Sequence, residues 1–365
     1  MKYKITHPLE IRTEPSVEGE IIGLLQPGFV FDCVEEEEGQ SINGISKWLK
    51  DTNGFYYWSG AVEEAFPPRD VKTFTPATSK IPDWNSDNFD VTGFWPQTTG
   101  KDIGIAVIDT GIYPHEDLKE AIDESNQRYF ISDSIEDTNG HGTHVSGIIA
   151  ARGKSDLYGV APGSIIIPLK IGAPPFSNEV LISAINYAAS LPEVKIINLS
   201  LKANSNNIEL EKAIQGAMQK GKIVIAASGN NYRRSVDYPA NYKNVIAVAA
   251  ILRDVNSINE TYLVSRDSNY GYANRPVDIC APGVHIESCR NTQNGINIKS
   301  GTSMATAYIS GIVALKIQKD LYRIHDQNSI REALVNSVFQ FATRELDNEK
   351  LIKLPVLNPD LFINS

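Results

Sequence analysis

Ile105-Ala106-Val107-Ile108-Asp109-Thr110-Gly111 decides the fold: an apolar run that ends in a carboxylate and a small-residue turn. The apolar stretch reaches back to Ile103. A short continuous run of this kind, rich in β-branched residues, is the pattern of a strand buried on both faces. Similar runs follow at Ile165–Lys170, Lys195–Leu199, Ile223–Ala227 and Val245–Ala250. Between them, Gly142–Arg152, Ser177–Leu191 and Ile208–Lys220 carry apolar residues at helical spacing. Asn178 stands as a cap before Glu179-Val180-Leu181-Ile182. The alternation predicts an α/β fold, a mainly parallel sheet with helices on both faces. Ligands of such sheets bind beyond the carboxyl ends of the strands, which is where Asp109 falls.

Two more segments share the small-residue flanks of the first: Gly140-His141-Gly142-Thr143-His144-Val145 and Gly301-Thr302-Ser303-Met304-Ala305. In chain order the three supply a carboxylate, an imidazole and a hydroxyl, the groups that nucleophilic acyl transfer needs. Ser303 opens a small-residue helix running to Leu315. A helix N-terminus favours developing negative charge. Taken singly, each residue is equally readable as a surface or capping residue. His141 and His144 are spaced i, i+3 without the partner carboxylate of a helical zinc motif, so no metal is expected there.

With these flanks and this order, the chain from about residue 81 to its end resembles the subtilisin-like serine proteases. The resemblance implies Ser303 as nucleophile, His141 as general base, Asp109 as its orienting carboxylate, and His144 as structural. It implies that Asn230, at the end of Ala227-Ser228-Gly229-Asn230, donates to the oxyanion. Without the resemblance, an Asn after Gly is a turn residue. It also implies a strand edge at Ser200-Leu201-Lys202 that receives an extended substrate. The family usually has glycine at the position of Lys202, which here either disfavours nearby basic side chains or points to solvent. Asp237, before Tyr238-Pro239-Ala240, corresponds to the base of the pocket for the residue preceding the cut. A carboxylate there selects Arg or Lys; the alternative is a turn cap, or an ion pair with Arg233 or Arg234. Ala307 replaces the usual proline after the serine motif. The calcium loop of many relatives is not carried over, because Arg152-Gly153-Lys154-Ser155-Asp156-Leu157-Tyr158 is short and holds two cations.

Residues 1–66 read as short strands. Leu9-Glu10-Ile11-Arg12, Ile21–Leu25 and Phe29–Val34 are separated by Glu14-Pro15-Ser16 and Gln26-Pro27-Gly28. Trp48-Leu49-Lys50 and Phe55–Trp58 flank Thr52-Asn53-Gly54, a hairpin signal. The segment resembles a bacterial SH3-like domain, a small all-β barrel. Its aromatics either fill that core or form a groove for a peptide or cell-wall fragment. The acidic run Glu35–Glu38 reads as a solvated turn. Residues 67–80, with Pro67, Pro68 and Pro76, have linker composition, leaving 81–365 as the larger domain.

The bulk properties narrow the function. The chain has 365 residues, 42% of them hydrophobic, enough to bury a core in one large and one small domain. A net charge of −10 argues against a nucleic-acid partner, and no segment has the apolar length of a membrane span. No apolar stretch follows the basic start, so a cytoplasmic location is expected, or a secreted one if a signal has been trimmed away. Three cysteines, Cys33, Cys280 and Cys289, make no disulfide framework. Cys280 and Cys289 are open to pairing or to being two buried thiols. The reading is a cofactor-free serine endopeptidase acting on protein or peptide substrates. Its rivals are a dedicated processing protease and a catalytically silent binding protein, each guided by a ligand of the front domain.

Overall fold

The computed structural model describes residues 2–25, 30–51, 54–64, 89–131, 134–203, 205–254, 261–272, 275–320, 325–345 and 351–365. The expected linker 67–80 lies outside them, as do Gln26–Phe29 and the Thr52-Asn53 turn. The chain divides into one unit of Met1–Thr75 with Asp320–His325 and another of Pro76–Lys319 with Asp326–Ser365.

Within the described residues the first unit is all β. Ile21–Leu25, Leu9–Arg12, Tyr56–Trp58, Ile45–Lys50 and Glu35–Ile42 form a five-stranded sheet in that order. Val30–Asp32, Lys2–Ile5 and Val62–Glu64 form a three-stranded one. Both sheets bury side chains in one core, with Tyr3 and Ile5 packed among Ile11, Leu49 and Tyr57. Trp48 is buried too, its indole N–H on the Gln40 carbonyl at 3.0 Å, while Tyr56 and Trp58 are half-buried. The acidic run is not a turn. Glu35–Glu38 pair with Lys47–Lys50 in a ladder, and Lys47 and Lys50 neutralise Glu36 and Glu37. Cross-strand pairing of opposite charges offsets the repulsion that the run has on its own. The reversal sits later, at Asn43-Gly44, where both residues have positive φ (53° and 85°), as a tight hairpin requires.

The second unit carries a ten-stranded sheet whose middle is parallel. Ile165–Lys170, Gly104–Asp109, Val194–Leu199, Ile223–Ala227 and Ile246–Arg253 lie side by side in that order. Their residues are almost all buried, which is why they read as continuous apolar runs rather than alternating ones. From Gly104–Asp109 the chain crosses through the helix His141–Ala150 to the strand on one side. From there it returns through Asn178–Ser190 to the strand on the other side, and continues through Ile208–Gln219. Parallel crossovers are right-handed, so a reversal of direction puts the first helix on the opposite face from the next two. The long helix Thr302–Lys319 packs on the first, and the other two pack on each other. The reversal also opens a crevice at the carboxyl ends of Gly104–Asp109 and Val194–Leu199.

Ser177, not Asn178, caps the second helix: its Oγ accepts the Val180 N–H at 3.4 Å. Ser, Asn and Glu in succession leave the cap ambiguous by one residue in sequence. Cys33, Cys280 and Cys289 are buried thiols outside any disulfide. No described helix is long and apolar enough to cross a membrane.

Candidate active site

Asp109 ends its strand at this crevice and is almost fully buried. Its Oδ1 accepts the Thr110 N–H at 2.7 Å and lies 2.7 Å from Nδ1 of His141, the first residue of its helix. Burial pulls the His141 pKa down. The charge of Asp109 and its hydrogen bond outweigh that pull and leave it above the ordinary imidazole value.

A second carboxylate, which the sequence reading passed over, fixes this pair. Asp137 Oδ1 accepts from Thr110 Oγ1 (2.8 Å), Asn139 N (3.1 Å) and Gly140 N (2.8 Å). Its Oδ2 accepts from Thr143 N (2.9 Å) and Thr143 Oγ1 (2.7 Å). Thr110 Oγ1 in turn accepts the Gly142 N–H at 2.9 Å. One buried carboxylate thus ties the loop after Asp109 to the first turn of the His141 helix, whose unpaired N–H groups favour an anion. The available signal was an Asp four residues before His141, with Asn139-Gly140 between them.

Ser303 lies in the first turn of Thr302–Lys319. Its Oγ donates to the Ser200 carbonyl at 3.0 Å, and Ser200 Oγ donates to the Ser303 carbonyl at 2.9 Å. No hydrogen bond joins Ser303 to His141 in this arrangement, although both line one cleft. Asn230 is exposed. Its Oδ1 accepts from Thr302 N (2.9 Å) and Thr302 Oγ1 (3.1 Å), which turns the amide N–H₂ away as a free donor. Gly301, at φ 149°, leaves room for that amide: a Cβ there would come 3.1 Å from Asn230 Nδ2. Buried Asn269 holds the loop from behind, accepting the N–H groups of Asn231 (3.1 Å) and Arg233 (3.0 Å) and donating to the Ser228 carbonyl (3.1 Å).

The cleft has a volume of about 290 Å³. Asp109, His141, Ser303, Asn230, Ser200, Leu201, Lys202, Ala227 and Gly229 all line it; Ser228 and Asp237 lie outside the lining. Ile171, Pro174 and Phe176 line it too, from a strand-to-helix loop with no motif to mark them.

Residues 100–353 match the family model described as "Subtilase family". The chain belongs to the subtilase family. This subtilase is 37% identical over 240 residues to the thermostable alkaline protease of Halalkalibacterium halodurans, covering 64% of this chain and 62% of that protein. It is likewise 37% identical to Subtilisin Savinase of Lederbergia lenta over 229 residues, 61% of this chain and 78% of that one. Among solved structures Sphericase superposes with a TM-score of 0.62 at 30% identity, covering 72% of this chain and 91% of that one. The aligned part spans less than two thirds of the Halalkalibacterium protein's length.

Two of the site residues expected from the sequence, Lys202 and Asp237, meet each other. Lys202 does not simply point to solvent. Its Nζ stands 3.2 Å from Asp237 Oδ2 and donates to Asn231 Oδ1 at 3.1 Å. Asp237 therefore faces Lys202, a residue distant in sequence, rather than serving only as a local turn cap.

Among the described residues, His115, Asp117 and Cys289 bring three buried ligating atoms within 4.8 Å of one another. They do not fit a metal. His115 Nε2 meets the Gly295 carbonyl at 3.0 Å and Nδ1 takes the Asp117 N–H at 3.1 Å, so the neutral ring has no lone pair left. Asp117 is held by Ser155 through both N–H and Oγ, and burial pushes the Cys289 thiol well up.

His144 faces away from the chemistry. Its Nε2 meets the carbonyls of Ile286 and Asn297, both at 3.1 Å, which pins the hairpin of Ile286–Cys289 and Ile296–Lys299 to the helix. Burial depresses its pKa from 6.5 to about 4. On acidification the unfolded chain takes up this proton first. The contribution of this residue should therefore be flat above pH 6.5 and fall by about 3 kcal/mol as pH drops toward 4. Urea midpoints of Ser303→Ala and Ser303→Ala/His144→Gln, compared from pH 7.5 to 4.5, check this. The second protein should lose that part of the pH dependence, and identical slopes would refute it.

Proposed function

We propose that this subtilase is a serine endopeptidase that hydrolyses peptide bonds through an acyl-enzyme. The observation that carries the reading is the 2.7 Å bond from Asp109 to His141 at a cleft also lined by Ser303 and Asn230. In the proposed cycle Ser303 Oγ turns from the Ser200 carbonyl to His141 Nε2 and attacks the scissile carbonyl carbon. Its proton passes to His141. Asn230 Nδ2 and the Ser303 N–H donate to the oxyanion. Collapse breaks the C–N bond, and the amine leaves with the proton from His141. Water repeats the sequence on the ester and returns free Ser303. Asp109 holds His141 as the Nδ1–H tautomer and balances its transient charge.

Phenylmethanesulfonyl fluoride tests this directly. It should sulfonylate Ser303 and stop casein hydrolysis, and His141→Ala should slow the labelling sharply. A folded sample that stays unlabelled would sink the mechanism and favour the silent binding protein.

The finer part of the reading is a preference for Arg or Lys before the scissile bond, supported by a carboxylate, Asp237, behind the glycine wall of the cleft. A second reading adds that the front unit, which has its own core, is an SH3-like module that recruits one protein for processing. Undiminished cleavage of that protein after removal of the front unit would count against it.

A further inference from the structure

We propose that Asp237 and Asn231 form a cation subsite at the edge of the cleft, and that Lys202 is its built-in occupant, displaced by the ammonium or guanidinium of a substrate side chain. The inference rests on the endopeptidase reading and says what sets its selectivity.

Three observations carry it. Asp237 is nine-tenths buried, its Oδ2 is out of contact with solvent, and that oxygen has no hydrogen-bond partner. What compensates its charge is the Lys202 ammonium at 3.2 Å. A buried carboxylate oxygen without a hydrogen bond favours a cation beside it. Second, the carboxylate lies directly behind the cleft wall. Gly229 lines the cleft, and a Cβ on it would come 2.3 Å from Asp237 Oδ2. The missing side chain lets that oxygen pack against the backbone of a residue that lines the cleft. Third, the occupant itself lines the cleft and is 46% exposed at its side chain, and its Nζ also donates to Asn231 Oδ1. The subsite thus already holds an ammonium on two oxygen acceptors, one charged. A flexible, half-exposed lysine is a ligand that can leave: its stem is solvated and a half-exposed ion pair is weak.

The consequence is a masked preference. With Lys202 in place the subsite is neutral, and a basic substrate must expel one cation to seat another. Without Lys202 the carboxylate is uncompensated and selects a cation outright.

The test uses the full chain and three peptide anilides that differ only in Lys, Arg or Leu before the scissile bond. Lys202→Met should raise kcat/KM for the Lys and Arg substrates by about tenfold relative to Leu. n-Butylammonium should inhibit Lys202→Met on the Leu substrate far more strongly than it inhibits the parent. Adding Asp237→Asn to Lys202→Met should remove both effects, and Lys202→Arg should keep the parent's ratios. Equal changes on all three substrates in Lys202→Met, with butylammonium inert, would overturn the subsite. If the parent cleaves none of the three and escapes sulfonylation, it is the endopeptidase reading that fails instead.

Discussion

Ser303→Ala lowers casein hydrolysis by about 10⁶-fold, a magnitude taken from the loss of the serine in subtilisin itself. Stability should barely change. The hydroxyl makes one hydrogen bond, to the Ser200 carbonyl, worth about 1 kcal/mol net. The return bond from Ser200 Oγ goes to the Ser303 main chain and survives the substitution. Urea unfolding of the variant should therefore stay within about 1 kcal/mol of the parent. Mass spectrometry of a fixed peptide, with parent enzyme at a millionth of the concentration as the reference, reads the rate. A variant within tenfold of the parent would place the nucleophile elsewhere.

Asp109→Asn should cost about 10⁴-fold, close to the loss of the corresponding carboxylate in subtilisin. The variant also carries a signature in its pH profile. Activity needs neutral His141, so the rate of the parent rises as pH climbs through a pKa above 6.5. Removing the carboxylate takes away the two strongest upward influences on the imidazole, and burial, which lowers its pKa, then outweighs the smaller upward pull of Asp137. The acid limb should move to lower pH while the plateau falls. Folding should tolerate the change, since Asn keeps the oxygen that accepts the Thr110 and His141 N–H groups. Profiles of kcat/KM from pH 5 to 9 for both proteins check it; a plateau that falls while the limb stays fixed would argue that Asp109 acts only through structure.

The sheet was readable because strands such as Gly104–Asp109 and Ile223–Ala227 are buried on both faces and therefore apolar without interruption. The groups proposed for catalysis were readable because close backbone approach demands small residues around them, which makes short, distinctive strings. What escaped are side-chain contacts that join one segment to another. Asp137 serves five donors on three stretches of chain, and Lys202 meets Asp237 across 35 positions. The Lys202–Asp237 pair leaves no local pattern, and the short spacing of Asp137 before His141 does not show its reach to Thr110. The acidic strand Glu35–Glu38 was misread for the same reason, because its partners Lys47 and Lys50 lie on the next strand.

The paired bonds between Ser200 and Ser303 carry one more implication. The carbonyl that now receives the Ser303 hydroxyl belongs to the very edge proposed to grip a peptide main chain. An incoming amide that takes this carbonyl leaves the hydroxyl without its acceptor, and the imidazole is a base in the same cleft that can replace it. On the proposed mechanism docking and arming are a single event, in which a chain laid along the edge lifts the latch on the hydroxyl.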